Sequence, residues 1–197
     1  SSDVCSSDLN QPWHPGETVS VPIGQGYVAT TPLQLVNAFA AVGNGGFLYR
    51  PYLVRRIASE DGAPSKETKP HLIRKIEIPT ELVEKVKEGL FEVVNRPGGT
   101  AVRSFSPLTP ISGKTGTAQV RATVKKKCEQ LDVADRHHGW FVGYAPRENP
   151  EIAVVAIAEH SCHGSAPGPV VKEVIEAYFK KKNAPPEVYG PFPVGTP

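Results

Sequence analysis

The chain has 197 residues, 39% hydrophobic and 21% charged, a composition that supports the core of one ordinary globular domain. Its 22 basic and 20 acidic residues leave a formal charge of +2, a balance that does not point to nucleic acid, and no run of about eighteen apolar residues offers a membrane span. Three cysteines are too few for a disulfide scaffold, and the absence of methionine points to a piece of a longer protein.

In chain order, residues 1–9, "SSDVCSSDL", form a near repeat that matches nothing downstream and are set apart as a flexible end or an artefact. The domain is expected over 10–182. Its first part, "NQPWHPGETVSVPIGQGYVA", is a Pro- and Gly-rich loop. Thr31 before Pro32 is the N-cap and first-turn pairing that starts a helix, with Leu33, Val36, Phe39 and Ala40 at helical spacing on a buried element, and "GNGG" at 43–46 ends it. Residues 47–58 read as a strand interrupted by Pro51, 59–70 as a polar turn, and 71–78 as an alternating strand.

Thr80 is expected to cap a second helix with Leu82, Val83, Val86, Leu90, Phe91 and Val94 on its apolar stripe and charges at 84, 85, 87 and 88 opposite; "NRPGGT" stops it. After a strand at "ISGKTGTAQV" and a polar insert at 121–137, "GWFVGYAP" and "EIAVVAIAEH" form a hairpin. A last helix over 169–181 places Val170, Val171, Val174, Ile175 and Tyr178 on one side, and residues 183–197 form a Pro-rich tail expected to be disordered. Short connections between the final three strands imply an antiparallel sheet packed against helices, an α+β fold.

"SGKTGT" at 112–117 suggests a phosphate-binding loop, but that motif needs a glycine where Leu108 stands, between Pro107 and Pro110. As a strand the same letters mean something else. Gly116 leaves the backbone open to a visitor, Lys114 attracts an anion, and the hydroxyls of Thr115 and Thr117 hydrogen-bond it, so an extended peptide-like ligand can add to this edge. Cys128, His137, His138, His160, Cys162 and His163 raise the possibility of zinc. The alternating ligands of "HSCH" lack the usual two-residue turn, and a Cys128–Cys162 disulfide is favoured over zinc in an oxidising compartment. No metal site is expected. The lysine runs at 125–127 and 180–182 read as solvated surface.

Lys-Thr-Gly is also the third motif of the serine acyl-transferases, beside a Ser-x-x-Lys nucleophile and a Ser-Asp-Asn type motif. With "HHGWFVGYAPRENPEIAVVAIAEH" after it and "PGETVSVPIGQGYVATTPLQLVNAFAAVGNGG" before it, the ensemble resembles the class B penicillin-binding proteins of the elongation type, over about residues 10–180. The resemblance implies a partial penicillin-binding transpeptidase domain, serine β-lactamase-like, from an enzyme that cross-links peptidoglycan by acyl transfer from D-Ala-D-Ala stem peptides and is acylated by β-lactam antibiotics. It implies no cofactor. It further implies a parent anchored in the cytoplasmic membrane, facing the periplasm, and working with the elongation machinery and a SEDS-family glycosyltransferase.

Carried over by motif, Lys114 and Thr117 are the catalytic candidates and Thr115, Gly116 and Thr117 the substrate-binding ones, with Lys114 supporting the hydrogen-bond network and drawing in the substrate carboxylate. Thr115 and Thr117 would bind that carboxylate, and the Thr117 N–H would be an oxyanion donor. Simple pleating puts Thr115 and Thr117 on one face and Lys114 on the other. No Ser-x-x-Lys occurs in the chain, so the nucleophile is expected upstream. Ser1 and Ser6 each open a Ser-x-Asp, but both lie directly before "NQPWHPGE", where the family has a substantial intervening segment. "GQG" at 24–26 is taken to shape the fold around the site, and His138, a candidate acid–base group, is read in preference as a packing or hydrogen-bonding residue. Two alternatives stay open: a D,D-carboxypeptidase or β-lactamase on the same scaffold, and a non-catalytic binding module.

Overall fold

The computed structural model describes residues 16–21, 24, 29–58, 64–120 and 126–184. The segment 1–9, Gln25 and Gly26 of the "GQG" loop, the start of the 121–137 insert and the tail from 185 onward lie outside the described residues. A short helix α1 (Glu17–Ser20) precedes α2 (Pro32–Gly43). The expected start of α2 is borne out by a capping box: Thr31 Oγ1 accepts from the Gln34 N–H, and the Gln34 side chain accepts from the Thr31 N–H at 2.8 Å. Gly45 and Gly46 then turn the chain with φ of 85° and 95°. α2 is less buried than its spacing suggests, since Ala41 and Gly43 are its buried residues and Leu33 is 59% exposed.

β1 (Phe47–Tyr49) pairs with β4 (Leu72–Lys75), and β2 (Arg56–Ala58) pairs with β3 (Pro64–Glu67), both antiparallel. The break around Pro51 is as expected, but β3 lies inside the segment read as a polar turn. The described residues of this ribbon are exposed on β2 and at Lys66 and Glu67, so its pairing needs no apolar alternation, and none is there to be seen. β4 is also shorter than the expected strand.

α3 (Thr80–Asn95) begins one residue earlier than expected: Pro79 stands at the N-cap without a side-chain cap and Thr80 is already helical. Its buried residues are Leu90, Val94 and Lys87; Leu82 and Val86, placed in the apolar stripe, are about half exposed. Lys87 is buried although charged because its ammonium reaches Glu84 at 3.2 Å and its stem covers apolar surface.

The principal sheet has the order β5-β6-β7, from β5 (Ser112–Ala118), β6 (His138–Ala145) and β7 (Ile152–Ala158), all antiparallel. Directly paired residues share a face. Phe141 pairs with Thr115 and Ala156, and this face carries the core: Phe141 and Ala145 pack with Ile111, Val94, Ala101, Val171, Ile175 and Phe179. The opposite face carries Val142 and Tyr144, and α2 packs against β6 and β7, with Gly43 against the Tyr144 ring.

α4 (Gly168–Asn183) closes the core with Val171, Ile175 and Phe179. This corrects the expected stripe by one position. Val170, Val174 and Tyr178 are 56%, 45% and 37% exposed, because the apolar arc of this helix is wider than the strip that the sheet covers. α4 also runs to Asn183, the first residue assigned to the tail.

Candidate functional site

β5 divides into two parts. Ser112 and Gly113, like Ile111 just before the strand, are buried, whereas Lys114, Gly116 and Thr117 are exposed and Thr115 is half-buried. α3 lies against the start of the strand, with Asn95 donating to the carbonyls of Phe91 and Ile111, each at 2.8 Å. Ser112 pairs across the strands with Tyr144, both fully buried, and burial pushes the Tyr144 phenol above its ordinary pKa. Among the described residues only β6 pairs with β5, so the strand is an edge, and its exposed portion is the Lys-Thr-Gly-Thr segment.

The pleating conflict is eased by the lysine itself. The Lys114 ammonium donates to the carbonyl of its neighbour Thr115 at 3.0 Å. The side chain thus folds back along the strand, and the charge sits beside the edge backbone instead of projecting away from Thr115. Thr115 Oγ1 lies 3.0 Å from Thr100 Oγ1, so it is held by the "PGGT" loop that follows α3. One hydroxyl of such a pair retains a proton for another acceptor. Thr100 was missed in the sequence, where "PGGT" signals only the end of a helix.

The two glycines of "SGKTGT" have different reasons. A Cβ on Gly113 would come within 2.7 Å of both the Phe141 ring and the Val142 carbonyl oxygen, so packing forbids a side chain there. A Cβ on Gly116 would have only Trp140 Cβ near it, at 3.6 Å, an ordinary contact. Among the described residues nothing in the packing requires glycine at 116, and its lack of a side chain leaves the exposed strand open to approach.

A loop from Glu159 to Pro167 reaches the far end of this segment. A Cβ on Gly164 would overlap the Gly116 carbonyl and stand 3.0 Å from Thr117 Oγ1; a Cβ on Gly139, the cross-strand partner of Thr117, would overlap the His163 carbonyl. These glycines let the loop lie directly on the strand. Its shape is fixed by several bonds: Gly139 N–H to Ser161 Oγ at 3.1 Å, Cys162 N–H to the His137 carbonyl at 3.0 Å, and His160 N–H to His138 Nδ1 at 3.0 Å. His138 accordingly accepts a hydrogen bond that holds the loop. Cys162 is disulfide-bonded to Cys128 in the insert, the pairing expected in an oxidising compartment. His163 Nε2 donates to Glu129 Oε1 at 2.9 Å beside this bridge. The Glu129 carboxyl is held below its ordinary value by a backbone N–H, assisted by His163 and Lys127. Among the described residues no group of three His, Cys, Asp or Glu side chains is placed to hold a metal.

The Haemophilus influenzae peptidoglycan D,D-transpeptidase MrdA is 34% identical over 187 residues, 91% of this chain but 28% of the relative. Among solved structures, Pseudomonas aeruginosa PBP2 in complex with WCK 5153 matches with a TM-score of 0.68 at 36% identity, covering 88% of this chain and 34% of that one. The Helicobacter pylori complex of PBP2 with MreC matches with a TM-score of 0.68 at 26% identity, covering 90% of this chain and 30% of that one. The chain therefore spans about a third or less of the proteins it is similar to, and the expected α+β transpeptidase fold is borne out. Residues 4–176 match the penicillin binding protein transpeptidase domain, so the chain belongs to that family.

Proposed function

We propose that this chain supplies the Lys-Thr-Gly wall of the active site of an elongation-type peptidoglycan D,D-transpeptidase. A serine of the complete enzyme attacks the carbonyl between the two D-Ala residues of a stem peptide; D-Ala leaves with a proton, and the acyl group passes to an amine of a neighbouring strand. Lys114 attracts the substrate carboxylate and stabilises the protonated network around the nucleophile. Thr115 and Thr117 bind that carboxylate through their hydroxyls, and the Thr117 N–H takes part of the charge that develops on the attacked oxygen. Such a donor contributes on the order of 3 kcal/mol to transition-state stabilisation. Gly116 lets the peptide, or a β-lactam in its place, lie along the strand.

The observation that carries this reading is the open Lys114–Thr117 edge with unused room at Gly116. The periplasmic face of the cytoplasmic membrane, the elongation machinery and a SEDS-family glycosyltransferase are the setting we infer with it. The solved complex of a similar PBP2 with MreC supports the machinery in particular. The test is labelling by a fluorescent penicillin. The complete protein is expected to label covalently, and Lys114→Ala to suppress it; the 197-residue chain, which has no Ser-x-x-Lys, is expected to remain unlabelled. An amine acceptor that captures the acyl group distinguishes the transpeptidase from a hydrolase on the same scaffold. Labelling of the complete protein that is indifferent to Lys114→Ala would overturn the assignment of this wall.

A further inference from the structure

We propose that the Cys128–Cys162 disulfide, acting through Gly164, is a positioning device for the Gly116–Thr117 end of the site, so that the oxidation state of this bridge sets the acylation rate. The inference rests on the transpeptidase reading above.

Two parts of the chain meet at this end. The insert between β5 and β6 contains only two short turns among its described residues, Cys128–Gln130 and Val133–Asp135. The loop after β7 holds two non-glycine residues in the left-handed region, His160 at φ 55° and Cys162 at φ 66°. That conformation is unfavourable for residues with a Cβ and persists only where the surroundings hold it. The disulfide ties the second of these residues to the insert, and the His163–Glu129 pair joins the same two segments one residue further on. Immediately after comes Gly164, whose backbone rests on the Gly116 carbonyl and Thr117 Oγ1. The chain of contacts is continuous: bridge, left-handed Cys162, Gly164, then the two residues proposed to receive the substrate and its developing charge.

Without the bridge, Cys162 keeps its N–H bond to His137 but loses the covalent link that opposes relaxation of its backbone. The loop is then free to withdraw from the strand, and the Thr117 N–H loses a fixed position. Misplacing a catalytic group by about 1 Å costs up to 10²-fold in rate, whereas ground-state binding along the strand is less sensitive. Cys128, Cys162 and Gly164 touch no substrate in this scheme; they act through Thr117.

The test uses the complete protein in its oxidised form. Dithiothreitol cleaves the bridge by thiol–disulfide exchange, giving two protein thiols and the cyclic disulfide of the reagent, with the thiols counted by alkylation and mass spectrometry. Reduction of already folded protein avoids any failure of the variants to fold. The limiting rate of acylation by a fluorescent penicillin is expected to fall about tenfold, with the half-saturating concentration within about twofold. The Cys128→Ala/Cys162→Ala variant should start at the reduced value and be indifferent to dithiothreitol, and Gly164→Ala should lower the same limiting rate. In parallel, amide exchange at Gly116 and Thr117 should accelerate on reduction. Equal limiting rates before and after confirmed reduction would overturn the proposal. Oxidised protein that is not labelled at all would overturn the transpeptidase reading instead; the exchange measurement then decides the tether by itself, and unchanged exchange at Gly116 and Thr117 refutes it.

Discussion

The two halves of β5 are one strand with one register against β6, yet opposite constraints apply to them. The Ser112–Gly113 half is buried, pressed on by Phe141 and Val142 and bounded by α3; the Lys114–Thr117 half is a largely exposed edge where Gly116 has room for a methyl group and carries none. The first half answers to the protein's own packing, and the second, on the proposed function, to the substrate. Anchoring one end of such a strand in the core would hold the proposed binding backbone rigid, which reduces what a ligand must order on binding.

The comparison is broken most sharply at Lys114. In the complete protein, Lys114→Ala is expected to slow penicillin acylation by about 10²–10³-fold while leaving the melting temperature unchanged, because the side chain is exposed and its ammonium bonds to the carbonyl of the very next residue. A large loss of stability with unaltered acylation would place Lys114 with the buried half. Gly113→Ala should do the reverse of Lys114→Ala. A Cβ at 2.7 Å from a backbone oxygen and a packed ring costs about 1–3 kcal/mol by overpacking, measurable by denaturant titration. Gly116→Ala is the finer discriminator between the halves. It should change stability by less than about 0.5 kcal/mol, as surface substitutions do, yet slow acylation severalfold by standing where the ligand approaches. Equal destabilisation by the two glycine substitutions would erase the distinction between the halves.

This division could not be seen in the letters. "SGKTGT" contains two glycines in similar settings, and what separates them is Phe141 and Val142 on the next strand, contacts that only the fold creates. The strand, its hairpin partners and the capped start of α2 were readable because alternation, a short polar connection and Thr31-Pro32 are local signals. β3 was not, since Lys66 and Glu67 are exposed and Pro64–Glu67 shows no apolar alternation, and the stripe of α4 was misjudged by one position, since both Val170 and Val171 fit an apolar arc and only the sheet decides which is covered. At the site, Lys114 to Thr117 stood out as a motif, and the pairing of Cys128 with Cys162 was one of two readings, favoured over zinc on the condition of an oxidising compartment. That their loop ends on Gly116 and Thr117 depends on Gly139 and Gly164, two glycines that mark close approach but in sequence resemble any others.

The smallest expected effect concerns how the buried half is anchored. The chain enters β5 through Ser104 to Thr109, where Ser104, Ser106 and Thr109 are buried, and Ser106 Oγ donates to Glu176 of α4 at 2.7 Å. That hydrogen bond, followed by Lys172 and Lys180 at 3.9 and 3.6 Å, holds the Glu176 carboxyl below its ordinary value. A carboxyl depressed in the folded state contributes stability that is present above its unfolded pKa of about 4.3 and is lost as pH falls through the lower folded value. Glu176→Gln should therefore lower stability by no more than about 1 kcal/mol at neutral pH and flatten the decline below pH of about 4, read from melts across the acid range. Lys114 of the open half takes no part in this contact, so the acid sensitivity removed by Glu176→Gln should be accompanied by faster amide exchange at Ser106 and Leu108 and not at Lys114 to Thr117. An acid-dependent loosening that appeared first at the open edge would mean that the two halves of β5 are not anchored separately.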